Sequence, residues 1–281
     1  MPTRPPHWRS GEIDYHERVP IERVFKVSAM SIAGSELFAI HFRDQSETLR
    51  IDRMRADFIA NASHELRTPL ASISGFIETL RGPARNDEKA REAFLQIMQT
   101  QTARMARLID DLLSLSRIEM KPFARSSEKI ELVSLVSGIV ETLGHVAREH
   151  DVVVEFAAPE HPINIPGNRD ELTQVFVNLT ENACKYGQSG GKVDITISES
   201  GSGPSPEIAV TIRDYGPGIP AEHIPRITER FYRVDDSNGV KNGTGLGLAI
   251  VKHILTRHDG RLSIRSKIGE GSAFTAHLPL N

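Results

Sequence analysis

A histidine, a carboxylate and a hydroxyl group occur close together near residue 64. Glu65 follows His64 directly, and Thr68 comes four residues after the histidine. A neutral imidazole, whose conjugate acid has a pKa of ~6.5, is a competent nucleophile at neutral pH. An adjacent carboxylate can take a proton from the ring or hold its second nitrogen. A lone exposed histidine is usually a solvated surface residue, but these residue types together suit nucleophilic chemistry at His64, with Glu65 accepting a proton from the ring or hydrogen-bonding its second nitrogen.

The residues around His64 predict an amphipathic helix over residues 47–80. Every apolar step in this stretch is three or four residues, which is the stripe of a helix packed against other helices. That stripe consists of Ile51, Met54, Phe58, Ala62, Leu66, Leu70, Ile73, Ile77 and Leu80. His64 lies roughly 160–200° from its nearest stripe neighbours at about 100° per residue, so it should face solvent, with Thr68 on the same side. Pro69 should bend the helix.

A second long helix is predicted over residues 88–118. Its stripe has alternating steps of four and three residues, which is coiled-coil spacing. The stripe consists of Phe94, Met98, Gln101, Met105, Leu108, Leu112 and Leu115. The two helices should form an antiparallel hairpin with one apolar side left bare. We therefore expect two copies to associate as a four-helix bundle, in a homodimer whose core needs no cofactor.

The composition narrows the class of protein. The 281 residues have a net charge of −3 and are 39% hydrophobic, which suits a folded chain of about two domains. The near-neutral balance argues against nucleic acid as the main partner, and a single cysteine excludes an internal disulfide. Neither a signal peptide nor an apolar run of the ~18 residues that span a membrane is evident. We expect a cytoplasmic location, which also suits the internal part of a membrane-anchored receptor.

The residues before the first helix predict a small β element. Residues 1–12 contain three Pro and no periodicity, so we expect them to be disordered or an added segment. Within residues 13–46, strand-like runs at 22–30 and 36–43 are separated by Ile-Ala-Gly-Ser and predict a hairpin. A hairpin of this size cannot bury a core alone. Either it belongs to a truncated sensor domain or it packs on the helices.

The pattern changes to α/β after residue 130. Polar residues 119–129 include a Pro and predict a hinge between two domains. In the second domain, residues 130–281, helices are predicted at 133–148, 169–186 and 244–258. Strands are predicted at 152–156, around 163, and at 192–199, 207–214, 261–266 and 272–278. Helices with largely antiparallel strands of this size form an α/β sandwich.

One face of the helix at 169–186 carries polar residues suited to a nucleotide. Its members, spaced three or four apart, are Asn178, Glu181, Asn182, Lys185 and Tyr186. Amide and carboxylate oxygens suit Mg²⁺, which binds phosphates while keeping several waters. A lysine can neutralise a phosphate, and a tyrosine can stack on a base. Alone, this pattern is more often that of a solvated helix face.

Glycine-rich segments follow the strand at 207–214. The first is a turn in which glycines let the backbone approach a ligand closely. A buried carboxylate there can accept a hydrogen bond from an exocyclic amine. The turn contains Asp214, Gly216, Gly218 and Ile219. A loop over residues 220–242 contains Arg230, Phe231, Tyr232 and Arg233. The next segment opens a helix and can cradle phosphate with backbone amides. It consists of Gly243, Thr244, Gly245, Leu246, Gly247 and Leu248.

Taken in order, these motifs resemble those of the sensor histidine kinases. Residues 63–70, Ser-His-Glu-Leu-Arg-Thr-Pro-Leu, are similar to the H-box, and the later motifs resemble the N, G1, F and G2 boxes. The resemblance implies that His64 is the phospho-acceptor and that Thr68 positions a water for dephosphorylation. It also implies a nucleotide site in which Asn178 and Asn182 bind Mg²⁺ and Asp214 recognises adenine. Arg233 or Lys185 would contact the γ-phosphate. Ser272 would lie in the adenine-side turn, where the family more commonly has Thr. Glu181 stands where the family carries Asn or Glu.

The resemblance implies ATP-dependent autophosphorylation and transfer to an aspartate of a response regulator, with phosphatase activity as a further expectation. The hairpin before the H-box resembles the end of a PAS domain, and the chain is most similar to phosphate-regulon-type sensor kinases. One alternative is another ATPase with this sandwich, of the chaperone, topoisomerase or mismatch-repair type. Those proteins lack a His-bearing hairpin directly upstream. A pseudokinase scaffold is the other alternative, and no motif position here supports it.

Overall fold

The computed structural model describes residues 11–17, 23–31, 38–120, 128–200, 206–234 and 243–280. The predicted disorder of residues 1–10, the turn at 32–35 and most of the predicted hinge lie outside these ranges. The chain divides into two compact units, residues 1–64 and 65–281.

The first unit contains a three-stranded antiparallel sheet in the order β1-β2-β3. Its strands are β1 (Gly11–Glu17), β2 (Arg23–Ser31) and β3 (Phe38–Asp44). The predicted hairpin is β2 with β3, and β1 adds a strand that begins inside the segment expected to be disordered. Apolar side chains at alternate positions, Ile13 and Tyr15, indicate this strand in the sequence. Both side chains are exposed.

Two long helices follow, α1 (Ser46–Arg81) and α2 (Glu88–Met120). The unit boundary falls within α1. Asp87 Oδ1 accepts from the Ala90 backbone N–H at 3.0 Å, so Asp87 is the residue that caps α2. In the second unit, Phe76 of α1 stacks on Phe94 of α2 with ring centroids 4.9 Å apart. The predicted α2 stripe faces inward, with Leu108 and Leu115 buried.

The α/β domain contains a five-stranded sheet in the order β5-β7-β8-β10-β9, in which β5–β7 is the parallel pair. In chain order the domain comprises β4 (Lys129–Glu131), α3 (Leu132–Thr142), α4 (Gly144–Glu149), β5 (Val153–Ala157), β6 (Asn164–Pro166), α5 (Arg169–Tyr186), β7 (Lys192–Ser200), β8 (Glu207–Asp214), α6 (Gly247–Arg257), β9 (Arg261–Lys267) and β10 (Gly271–Pro279). Helices α5 and α6 contact each other and the sheet. The predicted sandwich is confirmed.

Several predicted boundaries are wrong in detail. Helix α2 continues to Met120 and β4 starts at Lys129, so both ends of the predicted hinge belong to regular elements. The helix predicted at 133–148 is broken at Leu143 into α3 and α4. Strand β4 was not anticipated; it pairs with β6.

Among the described residues, none of the helices combines the length and apolar character that a membrane crossing requires. The long helices α1 and α2 are amphipathic, with polar residues between their apolar positions.

Candidate functional site

His64 is exposed on α1, as the helical spacing predicts. Thr68 is exposed as well. Pro69 is buried, and α1 continues through it. Leu70 belongs to the predicted apolar stripe but is 54% exposed in the single chain.

Glu65 is held by an arginine of the second helix. Arg104 Nη2 of α2 lies 3.0 Å from Glu65 Oε2, and both side chains are partly buried. A charge-assisted bond of this kind fixes the direction of the carboxylate. This pair could not be predicted from the sequence, because the residues are 39 positions apart and belong to different helices.

Asp214 ends β8 and is 3% exposed. Its Oδ1 accepts from the backbone N–H groups of Gly216, at 2.9 Å, and Ser272, at 3.2 Å. Burial raises the pKa of this carboxyl, and the two backbone hydrogen bonds oppose the rise. Since a carboxylate offers about four acceptor positions, Asp214 retains the capacity to accept from a ligand amine.

Glycine is required in the turn that follows Asp214. A Cβ on Gly216 would lie 2.1 Å from the Tyr186 carbonyl oxygen, and one on Gly218 would lie 2.2 Å from the Lys267 carbonyl oxygen. Gly218 also has a φ of 75°, which a residue with a side chain adopts only under strain. The end of β8 therefore packs directly on the end of α5.

Ser272 and Ile219 meet through Ser266. The Ile219 backbone N–H donates to Ser266 Oγ at 2.7 Å, and the Ser266 and Ser272 hydroxyls are 2.9 Å apart. Ser272 is buried. This short network joins two predicted site residues that are 53 positions apart in the numbering.

The polar face predicted on α5 remains accessible, while the opposite face is buried. The buried face consists of Leu172, Val175, Phe176, Leu179, Thr180, Ala183 and Cys184. Asn178 Nδ2 lies 3.4 Å from the Gly247 carbonyl oxygen, which brings α5 to the start of α6. Asn182 is one turn further along α5. Two amide oxygens on one face suit a Mg²⁺ ion that takes its remaining ligands from water and phosphate.

Glu181 is set apart from the asparagines by its electrostatic surroundings. Partial desolvation by its neighbours raises the pKa of this exposed carboxyl, and the carboxylate of Asp111 on α2 adds to the rise. Arg107 and His145 act in the opposite direction. Its neighbours thus include α2, which the sequence did not predict.

Lys185 and Tyr186 interact with each other at the end of α5. Lys185 Nζ donates to Tyr186 Oη at 3.0 Å and lies 4.4 Å from the ring centroid. A Cβ on Gly243 would come within 3.2 Å of Lys185 Nζ. The glycine loop therefore lies against the predicted phosphate-binding lysine.

The glycine loop delays the start of α6 by three residues. The predicted helix begins at Thr244, but α6 begins at Gly247, because Gly243 and Gly245 have φ values of 128° and 72°. The Phe231 backbone N–H donates to the Gly245 carbonyl at 2.8 Å. Leu246 precedes α6 and provides no side-chain cap. Since the first amides of a helix have no partner within the helix, this end of α6 suits an anion.

The aromatic-basic motif is placed by local contacts. Phe231 has a φ of 62°, in the left-handed region. Tyr232 Oη lies 2.6 Å from His223 Nδ1, and the Arg226 guanidinium lies 4.3 Å from the Tyr232 ring centroid. Arg233 is partly buried. Arg230, by contrast, forms an ion pair with Glu119 of α2.

Helix α2 contacts the glycine loop and α5 at further points. Thr244 Oγ1 donates to Asp111 Oδ2 at 2.6 Å, and Ser114 Oγ donates to Gln174 Oε1 at 2.9 Å. Burial raises the pKa of Asp111, which the Thr244 hydrogen bond opposes. Sequence reasoning missed Asp111 and Glu119. In the sequence, both residues simply lie beside the apolar stripe of α2. Polar residues occupy such positions on most amphipathic helices, so nothing indicated their contacts.

Two protein-family models match this chain, one over the helical hairpin and one over the α/β domain. Residues 54–121 match the His Kinase A (phospho-acceptor) domain, and residues 167–281 match the Histidine kinase-, DNA gyrase B-, and HSP90-like ATPase. The chain belongs to the histidine kinases. Both the helical hairpin and the α/β domain of this histidine kinase are therefore family domains.

Curated relatives of this histidine kinase are sensor proteins. It is 37% identical over 273 residues to the phosphate regulon sensor protein PhoR of Pseudomonas aeruginosa, covering 94% of this chain and 60% of PhoR. It is 35% identical over 239 residues to the sensor histidine kinase WalK of Bacillus subtilis, covering 84% of this chain and 38% of WalK. The chain thus spans less than two thirds of these relatives.

Solved structures share the architecture. The histidine kinase AdeS of Acinetobacter baumannii has a TM-score of 0.58 at 25% identity, covering 78% of this chain and 98% of AdeS. The histidine kinase ThkA, solved in complex with the response regulator protein TrrA, has a TM-score of 0.63 at 19% identity. The match covers 97% of this chain and 79% of that chain. At that identity the second likeness concerns the fold alone.

Proposed function

We propose that this chain is the kinase part of a two-component sensor, which phosphorylates itself on His64 with ATP and passes the phosphoryl group to an aspartate of a response regulator. One observation carries the proposal. A single chain combines an exposed His64 in a phospho-acceptor domain with the buried Asp214 turn and the glycine loop of an ATPase domain. The identity to PhoR favours a phosphate-regulon-type sensor.

The proposed nucleotide site has a base side and a phosphate side. On the base side, Asp214 accepts from the exocyclic amine of adenine. On the phosphate side, the amides at the start of α6 and the cations of Lys185 and Arg233 meet the phosphates. Asn178 and Asn182 would hold Mg²⁺, which neutralises charge on the phosphate oxygens.

The proposed reaction is an in-line phosphoryl transfer. A ring nitrogen of His64 attacks the γ-phosphorus, the bond from phosphorus to the bridging oxygen breaks, and ADP leaves. Glu65, held by Arg104, accepts the proton from the other ring nitrogen. The phosphoryl group then passes from His64 to the carboxylate of the regulator, and Glu65 returns the proton to the ring, which regenerates the neutral histidine.

We further propose a homodimer that works on the cytoplasmic side, where ATP and response regulators are found. The apolar residues exposed on α1 and α2 of the single chain support the dimer, because a second copy would cover them. They are Ile51, Ile59, Leu70, Ile77, Leu95, Ile97, Ile109 and Leu113.

The direct test is labelling with γ-³²P-ATP followed by acid and by alkali. We expect a label that acid removes and alkali spares, which then moves to a receiver domain from a panel of regulators. If the protein hydrolyses ATP but takes up no label, the result would contradict the proposed kinase activity and favour an ordinary ATPase. The same assay with labelled regulator and ADP tests the phosphatase role: Thr68→Ala should lengthen the lifetime of the regulator phosphate while sparing autophosphorylation.

A further inference from the structure

The C-terminal part of α2 is docked on the ATPase domain. Helix α2 contacts α6, and the α2 residues Leu108, Leu115 and Ile118 are buried. Polar bonds accompany this packing. Ser114 donates to Gln174 of α5, and Arg257 Nη1 of α6 donates to the Ile118 carbonyl oxygen at 3.2 Å.

Two of the docking contacts use carboxylates of α2 as acceptors. Asp111 Oδ2 accepts from the Thr244 hydroxyl at 2.6 Å, and Glu119 pairs with the Arg230 guanidinium. Thr244 belongs to the glycine loop that precedes α6. Arg230 precedes Phe231, whose backbone N–H is bonded to that same loop. Both donors are therefore in segments that the proposed function assigns to the nucleotide.

Carboxylate and phosphate oxygens are similar acceptors for a hydroxyl or a guanidinium. The Thr244 hydroxyl has one hydrogen to donate, so it cannot serve Asp111 and a phosphate together. Bringing phosphates to this loop would also place their negative charge beside two carboxylates. Docked α2 thus occupies donors that a bound triphosphate would use.

We propose that Asp111 and Glu119 compete with the nucleotide phosphates for Thr244 and Arg230, so that docking of α2 and binding of a triphosphate oppose each other. This inference rests on the proposed function, because it takes the glycine loop as the phosphate side of the site. By linkage, docking lowers the affinity for triphosphate, and a triphosphate weakens docking by the same factor. Two carboxylates of the dimerisation hairpin therefore set nucleotide affinity without belonging to the ATPase domain.

The test is calorimetric binding of AMPPNP, a non-hydrolysable ATP analogue, to the full chain and to Asp111→Ala and Glu119→Ala. Each substitution should tighten AMPPNP binding about three- to tenfold, because the binding-competent fraction rises. Adenosine, which lacks phosphates, should change by less than about twofold in the same variants. Asp111→Asn, which keeps an acceptor but loses the charge, should fall between wild type and alanine.

Asp110→Ala is the matched control, since Asp110 is the exposed neighbour of Asp111 and its removal changes net charge equally. It should leave both affinities near wild type. Ser114→Ala loosens docking without freeing a phosphate donor, so it should tighten AMPPNP less than Asp111→Ala does. Circular dichroism and thermal unfolding of every variant establish that the comparison is between folded proteins.

Unchanged or weaker AMPPNP binding by folded Asp111→Ala and Glu119→Ala would overturn the competition. Equal tightening of adenosine, or equal tightening in Asp110→Ala or Ser114→Ala, would overturn it as well. A wild-type chain that binds no adenine nucleotide would instead contradict the proposed function. The two failures are therefore distinguishable in one experiment.

Discussion

At the scale of single residues, Asp214 combines burial with incomplete use of its acceptors. Two backbone N–H groups fix one oxygen, while the low-polarity surroundings raise its pKa. The direction of the shift means that ionised Asp214 is destabilised by burial. A ligand amine that donates to it would relieve that cost.

Asp214→Asn should weaken adenine nucleotides and blur the choice between ATP and GTP. An amide can present a donor where the carboxylate accepts, and a mismatched buried hydrogen bond costs about 1–3 kcal/mol. Competition by ATP and GTP against a fluorescent analogue measures both effects. Asp170→Asn, at an exposed position in the first turn of α5, is the control. Equal losses for ATP and GTP would make Asp214 a structural residue of the turn.

Arg104→Ala should reduce the rate constant of autophosphorylation by about tenfold, because Glu65 loses its orientation toward the proton it accepts. KM for ATP should stay near wild type, since Arg104 acts through Glu65 and not on the nucleotide. Arg104→Lys should restore part of the rate, and Arg85→Ala, an exposed arginine, should have no effect. A change in KM alone would show that Arg104 serves the nucleotide site instead.

At the scale of the elements, α5 carries both core and site on opposite faces. Cys184 lies on its buried face, where burial raises the thiol pKa to about 11, with a further contribution from the Glu181 carboxylate. At pH 8, about one such thiol in a thousand is the reactive thiolate. The folded chain should therefore resist iodoacetamide.

Alkylation followed by mass spectrometry, with and without urea, measures this protection. The thiol should react in urea and stay unmodified for hours in buffer at pH 8. Because a raised cysteine pKa favours the neutral thiol, protection should decline as the pH rises toward the folded value. Rapid labelling of the native chain at pH 8 would mean that α5 is not packed as described.

The sequence predicted those elements whose signals are local. Helix α5 has the predicted bounds because its apolar spacing and its Asn168 cap are both within the helix. The start of α6 was wrong by three residues because positive φ at Gly243 and Gly245 extends the loop. The bonds of Asp111 and Glu119 could not be predicted, since they depend on how α2 packs against distant segments.

At the scale of the whole molecule, Leu113→Glu should dissociate the proposed dimer. Leu113 is 50% exposed on α2 in the single chain, and a charge in an apolar interface is costly to bury. Sedimentation velocity should show a dimer for wild type and a folded monomer for the variant. Ile268→Glu, at a 68% exposed turn position between β9 and β10, should remain dimeric. A monomeric wild type would contradict the homodimer.

In the proposed mechanism, the acceptor His64 and the nucleotide site are distinct parts of one histidine kinase. His64→Gln tests it most directly, by γ-³²P-ATP labelling together with equilibrium binding of AMPPNP on the same preparation. We predict that the variant takes up no acid-labile label while its affinity for AMPPNP stays within about tenfold of wild type, ~1.4 kcal/mol. Persistent acid-labile label on His64→Gln would contradict the account, because the phosphoryl group would then reside on another residue.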